Sequence, residues 1–293
     1  MQDQRGSNDS APFRPLLPVR LDGDFLVAVE PLRVPLMGTE EVAPLLYHLV
    51  RFCRPRRLLE VGMGYTTPFI ARALQDNRRA AEMEARGLAA KTQGYLATGA
   101  QLDEEWLRAD PVLAAPAFHL SGYRPSFLAI DNLQSPISTA GQVGEVLDGL
   151  GLADVVTVLR SPLEEALLRL PQGFLPFDFV WLDLNDKTAF FERWWNLVDP
   201  AGGIVLVHFL LTHASGEAVL EQIRSIQAAR PRELEMVSLL EPHKLGQNSL
   251  TLIRRTGRYV DPRPTFGPEL QSDAERVVSR FSAFPGHPPG HGA

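Results

Sequence analysis

The sequence predicts an α/β protein built on a doubly wound, mostly parallel seven-stranded sheet with an antiparallel terminal strand. Three observations predict it. Short segments that are apolar throughout alternate with amphipathic segments of helical period, the pattern of strands covered on both faces by crossover helices. The first of these strands runs directly into a Gly-x-Gly bend and then a helix. The last two strand-like segments lie too close together for a crossover helix, so they are expected to pair antiparallel.

Composition bounds the function. The chain has 293 residues, 45% hydrophobic and 22% charged, and 29 Lys and Arg against 35 Asp and Glu leave a net charge of −6. With no dense basic cluster, a dedicated nucleic-acid binder is not expected. The single cysteine, Cys53, excludes an internal disulfide framework and a cysteine-rich zinc site, and it is expected to be a buried small hydrophobe. The longest apolar stretch, Ile204 to Thr212, is about half a membrane span. The opening MQDQRGSNDS lacks the cationic-then-apolar order of a secretory leader. The expectation is a cytoplasmic protein with no membrane and no nucleic-acid partner.

Residues 1–56 read as an N-terminal arm and a helix. The first twelve residues are polar and expected to fray, and Phe13–Pro35 is expected to be extended, with FLVAV (25–29) as one short strand. Thr39–Phe52 predicts a helix, Thr39 its N-cap and Val42, Leu45, Leu46, Leu49 and Val50 its apolar stripe. Predicted strands then follow at 57–61, 127–130, 155–159, 177–182, 203–210, 234–240 and 249–254, with helices over 66–75, 139–150, 163–170, 188–198 and 217–229. Between Gln75 and Phe127 lie about fifty residues where a simple connection takes two to six. Their Ala-, Glu- and Arg-rich stretch predicts an inserted helical cap over 77–124, placed over a ligand site at the strand ends. Residues 256–293 read as a Pro/Gly-rich tail. There is no internal repeat.

The stretch that carries chemistry is LLEVGMGYTT, residues 58–67. A buried strand ends in Glu60 and enters Gly62-x-Gly64, where the missing Cβ atoms let the chain turn and a ligand approach. A dinucleotide fingerprint wants glycine at position 67, where threonine stands, and a phosphate loop wants Gly-Lys-Ser/Thr, which is absent. The Glu60 carboxylate would repel a pyrophosphate and suits a ligand bearing an ammonium.

These residues and their order resemble the class I S-adenosylmethionine-dependent methyltransferases over roughly 200 residues, from Arg57 to Arg254. LLEVGMGYTT is similar to their first motif, IDN (130–132) to the acidic residue that ends the second strand, and RSPLE (160–164) to the segment bordering the adenine. FDFVWLDLND (177–186) looks like the fourth-strand motif of small-molecule O-methyltransferases, and LVDPAGGIVLVH (197–208) like the Pro-Gly-Gly turn and fifth strand. The resemblance implies a Rossmann-like methyltransferase domain over 57–255 and S-adenosylmethionine as cofactor. It further implies cofactor-binding roles for Glu60, Gly62, Gly64, Tyr65, Thr66, Asp131, Asn132, Ser161 and Asp183. Asp131 is the expected ribose ligand, although Glu82 or Glu84 has the more usual spacing.

Asp183 and His208 are the catalytic candidates. Asp183 would orient an acceptor or act as base, or would merely cap the next helix. His208 would abstract a proton, or would be a core histidine bonded to a carbonyl. Asp183 and Asp186 alone give a hard cation too few oxygen ligands, so no metal is expected. The hairpin 241–249 either presents His243, Lys244, Gln247 or Asn248 to a substrate or is a plain solvated turn. One of Trp194 and Trp195 is expected in the core, the other as an interface anchor, and a homodimer is the expected assembly.

Methyl transfer to a small-molecule acceptor, O- or N-linked, is the leading expectation, driven by alignment of the acceptor with an already electrophilic sulfonium in a dry site. A cyclase that turns the cofactor on itself, like azetidine-2-carboxylate synthases, would instead release methylthioadenosine. A non-catalytic binding protein on the same fold is the third reading, and a nicotinamide oxidoreductase is disfavoured by Glu60 and Thr67.

Overall fold

The computed structural model describes residues 21–258 and 268–282. Seven strands form one sheet: β1 Arg57–Val61, β2 Ser126–Asp131, β3 Val156–Arg160, β4 Phe179–Leu182, β5 Ile204–His208, β6 Leu234–Leu240 and β7 Ser249–Arg255, in the order β3-β2-β1-β4-β5-β7-β6. β3 to β5 pair in parallel, and β7 runs antiparallel between β5 and β6. This is the predicted doubly wound sheet with its antiparallel ending. The strand order reverses at β1, so the crevice at the carboxyl ends of β1, β2 and β4 is where such sheets bind ligands.

Nine helices accompany the sheet among the described residues: α1 Gly23–Val29, α2 Val42–Cys53, α3 Thr66–Ala97, α4 Glu104–Arg108, α5 Pro116–His119, α6 Val143–Gly149, α7 Leu163–Ala166, α8 Gly216–Ala229 and α9 Pro268–Ser282. Side chains alternate across a strand, and the two cores follow that period. Leu58, Phe127, Ala129, Phe179, Trp181 and Leu206 point to the face covered by α1, α2, α6 and the start of α3. Leu59, Leu128, Ile130, Val180, Val205 and Val207 point to the face covered by α7, α8 and the aromatic segment 190–195. Glu60 and His208 are in phase with the first set, so both lie on the same face as Trp181, and both are fully buried.

The described residues divide into two compact units, 21–78 with 124–258 and 79–123 with 268–282. The larger contains the sheet. In the smaller, Leu88, Ala89, Trp106, Ala274 and Val277 make a core. There Lys91 donates to the carbonyls of Trp106, Ala109 and Pro111 at 3.0, 2.9 and 2.8 Å, holding that loop against its helix.

Several local expectations are corrected. Residues 23–29 are a helix rather than a strand, because Asp22 Oδ1 accepts from Phe25 N at 2.9 Å and Phe25 and Val29, four apart, share the buried side. Helix α3 continues unbroken through the predicted break near Gln75. The Pro/Gly-rich segment contains α9, whose Leu270, Ala274, Val277, Val278 and Phe281 repeat at helical spacing and bury against the smaller core. Predicted helix 188–198 winds instead as a π turn, Phe190–Trp194, and a 3-10 turn, Trp195–Leu197. Trp194 and Trp195 are both buried, so neither is a surface anchor. Cys53 is exposed, because α2 ends there with Arg54 in the left-handed conformation and the buried side of the helix stops at Val50. The fraying expected of residues 1–12 lies outside the described residues, as does 13–20 of the expected extended arm; the rest of that arm is not extended but helical over Gly23–Val29 and a 3-10 turn over Glu30–Leu32.

Candidate functional site

A cavity of about 600 Å³ opens at the carboxyl ends of the parallel strands in the larger unit. That volume suits a drug-sized or nucleoside-sized ligand. One wall is the bend after β1, with Gly62, Met63, Gly64 and Tyr65; a second is the ends of β2 and β3, with Asp131, Asn132 and Ser161. Asp183 and Asn185 after β4, Phe209 after β5 and Gln247 in the β6–β7 turn continue it, and Leu32, Val34, Met37 and Thr39 close it from the N-terminal side.

The two glycines of the bend have different tasks. Gly62 has φ +93°, and a Cβ there would run into the Asp183 carbonyl oxygen. Its glycine is therefore required for β1 and β4 to end side by side, with Asp183 N donating to Val61 O at 2.9 Å. A Cβ on Gly64 would meet only Thr139 Oγ1 at 3.7 Å, so this is the residue that leaves the berth open. Thr67, at the third-glycine position of a dinucleotide fingerprint, accepts the Gly64 N–H at 3.1 Å through its hydroxyl. That bond takes up an N–H which a phosphate loop would present to its ligand.

Glu60 sits beneath the bend. Its Oε1 accepts from the Thr66 hydroxyl at 2.7 Å, and Thr66 Oγ1 in turn accepts from Trp181 Nε1 at 3.2 Å. Glu60 Oε2 is buried without a hydrogen-bond partner. Burial pushes the carboxyl up to about 8, against the Thr66 and Thr67 hydroxyls, with Asp183 and Asp131 adding to the rise. Glu60 does not line the cavity, and the Thr66 hydroxyl points inward to Glu60 rather than being left for a ligand carboxylate.

Asp131 and Asp183 do line it. Asp131 Oδ2 accepts from Met63 N at 2.9 Å and Oδ1 from Leu133 N at 2.6 Å, so this carboxylate shapes both the bend and the loop after β2. Each oxygen retains a lone pair for a hydroxyl. Ser161 is held at the same end by its N–H to Asp131 O, 3.0 Å. Glu82 is exposed on α3 and paired with Arg86 at 2.7 Å.

Asp183 Oδ1 lies 2.9 Å from His208 Nδ1. The imidazole is fully buried against Trp181 and Phe209 and is not a lining residue, whereas Asp183 is 20% exposed. The pair thus reaches the cavity through its carboxylate. Asp186 is exposed and caps the next turn, its Oδ1 accepting from Thr188 N at 2.9 Å. Among the described residues no group of three or more His, Cys, Asp or Glu could hold a metal ion, and no helix is long and apolar enough to cross a membrane.

The polar hairpin contributes only Gln247 to the cavity. Lys244 pairs with Glu40 at 3.0 Å and Glu241 at 2.6 Å, fastening the hairpin to the segment that precedes α2. Three features escaped the sequence reading. Lys187 is buried, donates to Leu184 O at 2.5 Å and lies 3.7 Å from the centre of the Phe209 ring. Its burial lowers the ammonium to about 8, while Asp183 and Asp186 oppose the drop. The segment Leu32–Thr39 lines the cavity although it read as an arm and a cap; Gly38, with φ +64°, was its one local signal. Phe209, with φ +42°, carries the chain out of β5 at the cavity edge, which an apolar run does not disclose.

No protein-family model matches the chain, and no curated relative does. Solved structures do resemble it. The O-methyltransferase TomG from Streptomyces achromogenes, involved in tomaymycin synthesis, superposes with a TM-score of 0.52 at 20% identity, covering 82% of this chain and 93% of that one. A putative O-methyltransferase from Klebsiella pneumoniae gives a TM-score of 0.50 at 17% identity over 82% of this chain and 92% of its own. The likeness establishes the Rossmann-like methyltransferase fold.

Proposed function

We propose that the protein is an S-adenosylmethionine-dependent methyltransferase acting on a small-molecule acceptor. The observation that carries the reading is the convergence of the Gly64 berth, the Asp131 carboxylate and Ser161 on one cavity at the strand ends. The residues present fit the cofactor, because Gly64 leaves open the space a Cβ would narrow and the nearest atom to that position is 3.7 Å away. The Streptomyces achromogenes enzyme of the same fold was solved in complex with SAM, which supports the same cofactor here.

When bound, the cofactor supplies a sulfonium-activated methyl group. Gly62–Tyr65 would border its methionyl part, Asp131 and Asn132 its ribose, and Ser161 its base. The chain's own contribution to the chemistry is positioning. Asp183 presents a carboxylate to the acceptor region, and His208 behind it fixes the orientation of that carboxylate. Apolar side chains from Leu32, Val34, Met37 and Phe209 line the same cavity and would limit water beside the reacting groups.

Calorimetry with S-adenosylhomocysteine tests the cofactor assignment; saturable binding is expected, and its absence from folded protein refutes it. Mass spectrometry after incubation with S-adenosylmethionine and candidate acceptors tests the reaction. S-adenosylhomocysteine formed only with an acceptor supports methyl transfer. Methylthioadenosine formed without one replaces it by ring closure.

A further inference from the structure

The charge of the cavity wall is one-sided. Among the described lining residues the only carboxylates are Asp131 and Asp183, and none is Lys, Arg or His. Three cations on segments that border the cavity are tied elsewhere. Lys187 is turned to Leu184 O and covers Phe209. Arg33 pairs with Glu30 at 3.0 Å, and Lys244 with Glu40 and Glu241. Asp131 is committed to two backbone N–H groups, while Asp183 keeps only His208 on one oxygen. The same cavity is lined by apolar or neutral side chains as well, among them Leu32, Met37, Phe209, Asn185 and Gln247.

We infer that the acceptor taken by this cavity is a small amine on an apolar body, an assignment that rests on the cofactor reading above. The amine is held as its ammonium beside Asp183 and gives up a proton through that carboxylate to water, before its nitrogen lone pair forms the N–C bond as the S–C bond breaks. S-adenosylmethionine carries a sulfonium, an ammonium and a carboxylate, one net positive charge. Of the two carboxylates of the wall, Asp131 already serves two backbone N–H groups, whereas Asp183, its charge partly offset by the buried Lys187 that does not line the cavity, is the one left open to an acceptor. An ammonium beside Asp183 is attracted and hydrogen-bonded. A carboxylate or phosphate there is desolvated, repelled and offered no cationic partner among the described lining residues. Phosphorylated or carboxylated acceptors are therefore rejected by the wall itself, and the apolar side chains take the body of the amine.

Three probes of one shape read this directly: benzylamine, benzyl alcohol and benzoate, titrated by ligand-observed NMR against the protein with and without S-adenosylhomocysteine. Benzylamine is expected to bind at least about tenfold more tightly than benzoate, with benzyl alcohol between them. Asp183→Asn is expected to bring benzylamine down to the alcohol, and Gln247→Arg to move the preference toward benzoate. Equal affinities, a preference for benzoate in the unaltered protein, or no binding by any probe at millimolar concentration overturns the assignment. A ranking unchanged by both substitutions overturns it too, by placing the probes outside this cavity. Should the nucleoside fail to bind while the ranking holds, the cofactor reading falls and the amine preference stands on the protein alone.

Discussion

Asp183, the residue after β4, and His208, the last of the adjacent parallel strand β5, meet at 2.9 Å, the carboxylate partly open to the cavity and the imidazole sealed behind it. With the carboxylate accepting, Nδ1 carries the proton and the buried Nε2 has no partner. The order of the two residues reverses the simplest view of a strand-end histidine. It is the acid that can touch a ligand, and the histidine that positions it.

His208→Ala removes a ring packed between Trp181 and Phe209 and takes away the Asp183 donor. A stability loss of about 2–4 kcal/mol is expected, the range for a buried truncation combined with a broken hydrogen bond. Urea unfolding measures it. Nucleoside affinity in the folded variant is expected to persist, since His208 does not line the cavity; a large loss would place the imidazole in the site.

The two glycines of the bend predict opposite phenotypes. Gly62→Ala forces a Cβ onto the Asp183 carbonyl at a φ that side chains avoid, and is expected to cost more than about 3 kcal/mol. Gly64→Val has room in the empty protein and is expected to fold, yet to lose S-adenosylhomocysteine binding by filling the berth. Thermal unfolding and calorimetry on both variants separate these outcomes.

Asp131→Ala is expected to weaken nucleoside binding by roughly 1.5–3 kcal/mol, the range for hydrogen bonds to a charged group. It also strips the Met63 and Leu133 N–H groups of their acceptor, so Tm is expected to fall with it. Glu82→Ala, at an exposed ion pair, is expected to change neither. If the calorimetric loss follows Glu82 instead, Asp131 is not the ribose ligand.

Glu60 makes stability depend on pH in an unusual direction for an acid. Its carboxyl rises from an ordinary 4.5 to about 8 on folding. Between those values the folded chain holds a proton that the unfolded chain has released. Stability is therefore expected to fall as pH rises through that window, by up to about 1.4 kcal/mol per unit from this group. Denaturant unfolding at mildly acidic and mildly alkaline pH should show the slope, and Glu60→Gln should flatten it. A slope unchanged by the substitution would assign it to other groups.

The strands and their facing were legible because a strand buried on both sides is apolar throughout, and that signal is local. RLLEV, FLAI and FDFVWL need no partner to be recognised. The Gly-x-Gly bend was equally plain, since only a chain that must turn sharply after a buried strand spends glycines there. Local reading failed where composition outweighed spacing. The Pro-, Gly- and Arg-rich C-terminal stretch hid the apolar repeat of α9, and FLVAV looked like a strand until Asp22 is seen capping a helix.

Sequence alone thus determined the alternation of strands and helices, the strand-end acids Glu60, Asp131 and Asp183, and the break in the chain at Gly62. Tertiary structure decided which of those acids faces the cavity. Glu60 is sealed under Thr66 and Trp181, whereas Asp131 and Asp183 open onto the cavity. It likewise decided that Lys187 and Lys244 are taken up by other partners and do not line the cavity, and that Leu32–Thr39 borders it. The physical reason is that exposure and electrostatic pairing depend on atoms from strands and loops more than a hundred residues apart, such as Glu60 with Trp181 and Glu40 with Lys244. A single chain segment records its own periodicity but carries no trace of the partner that will neutralise or bury it.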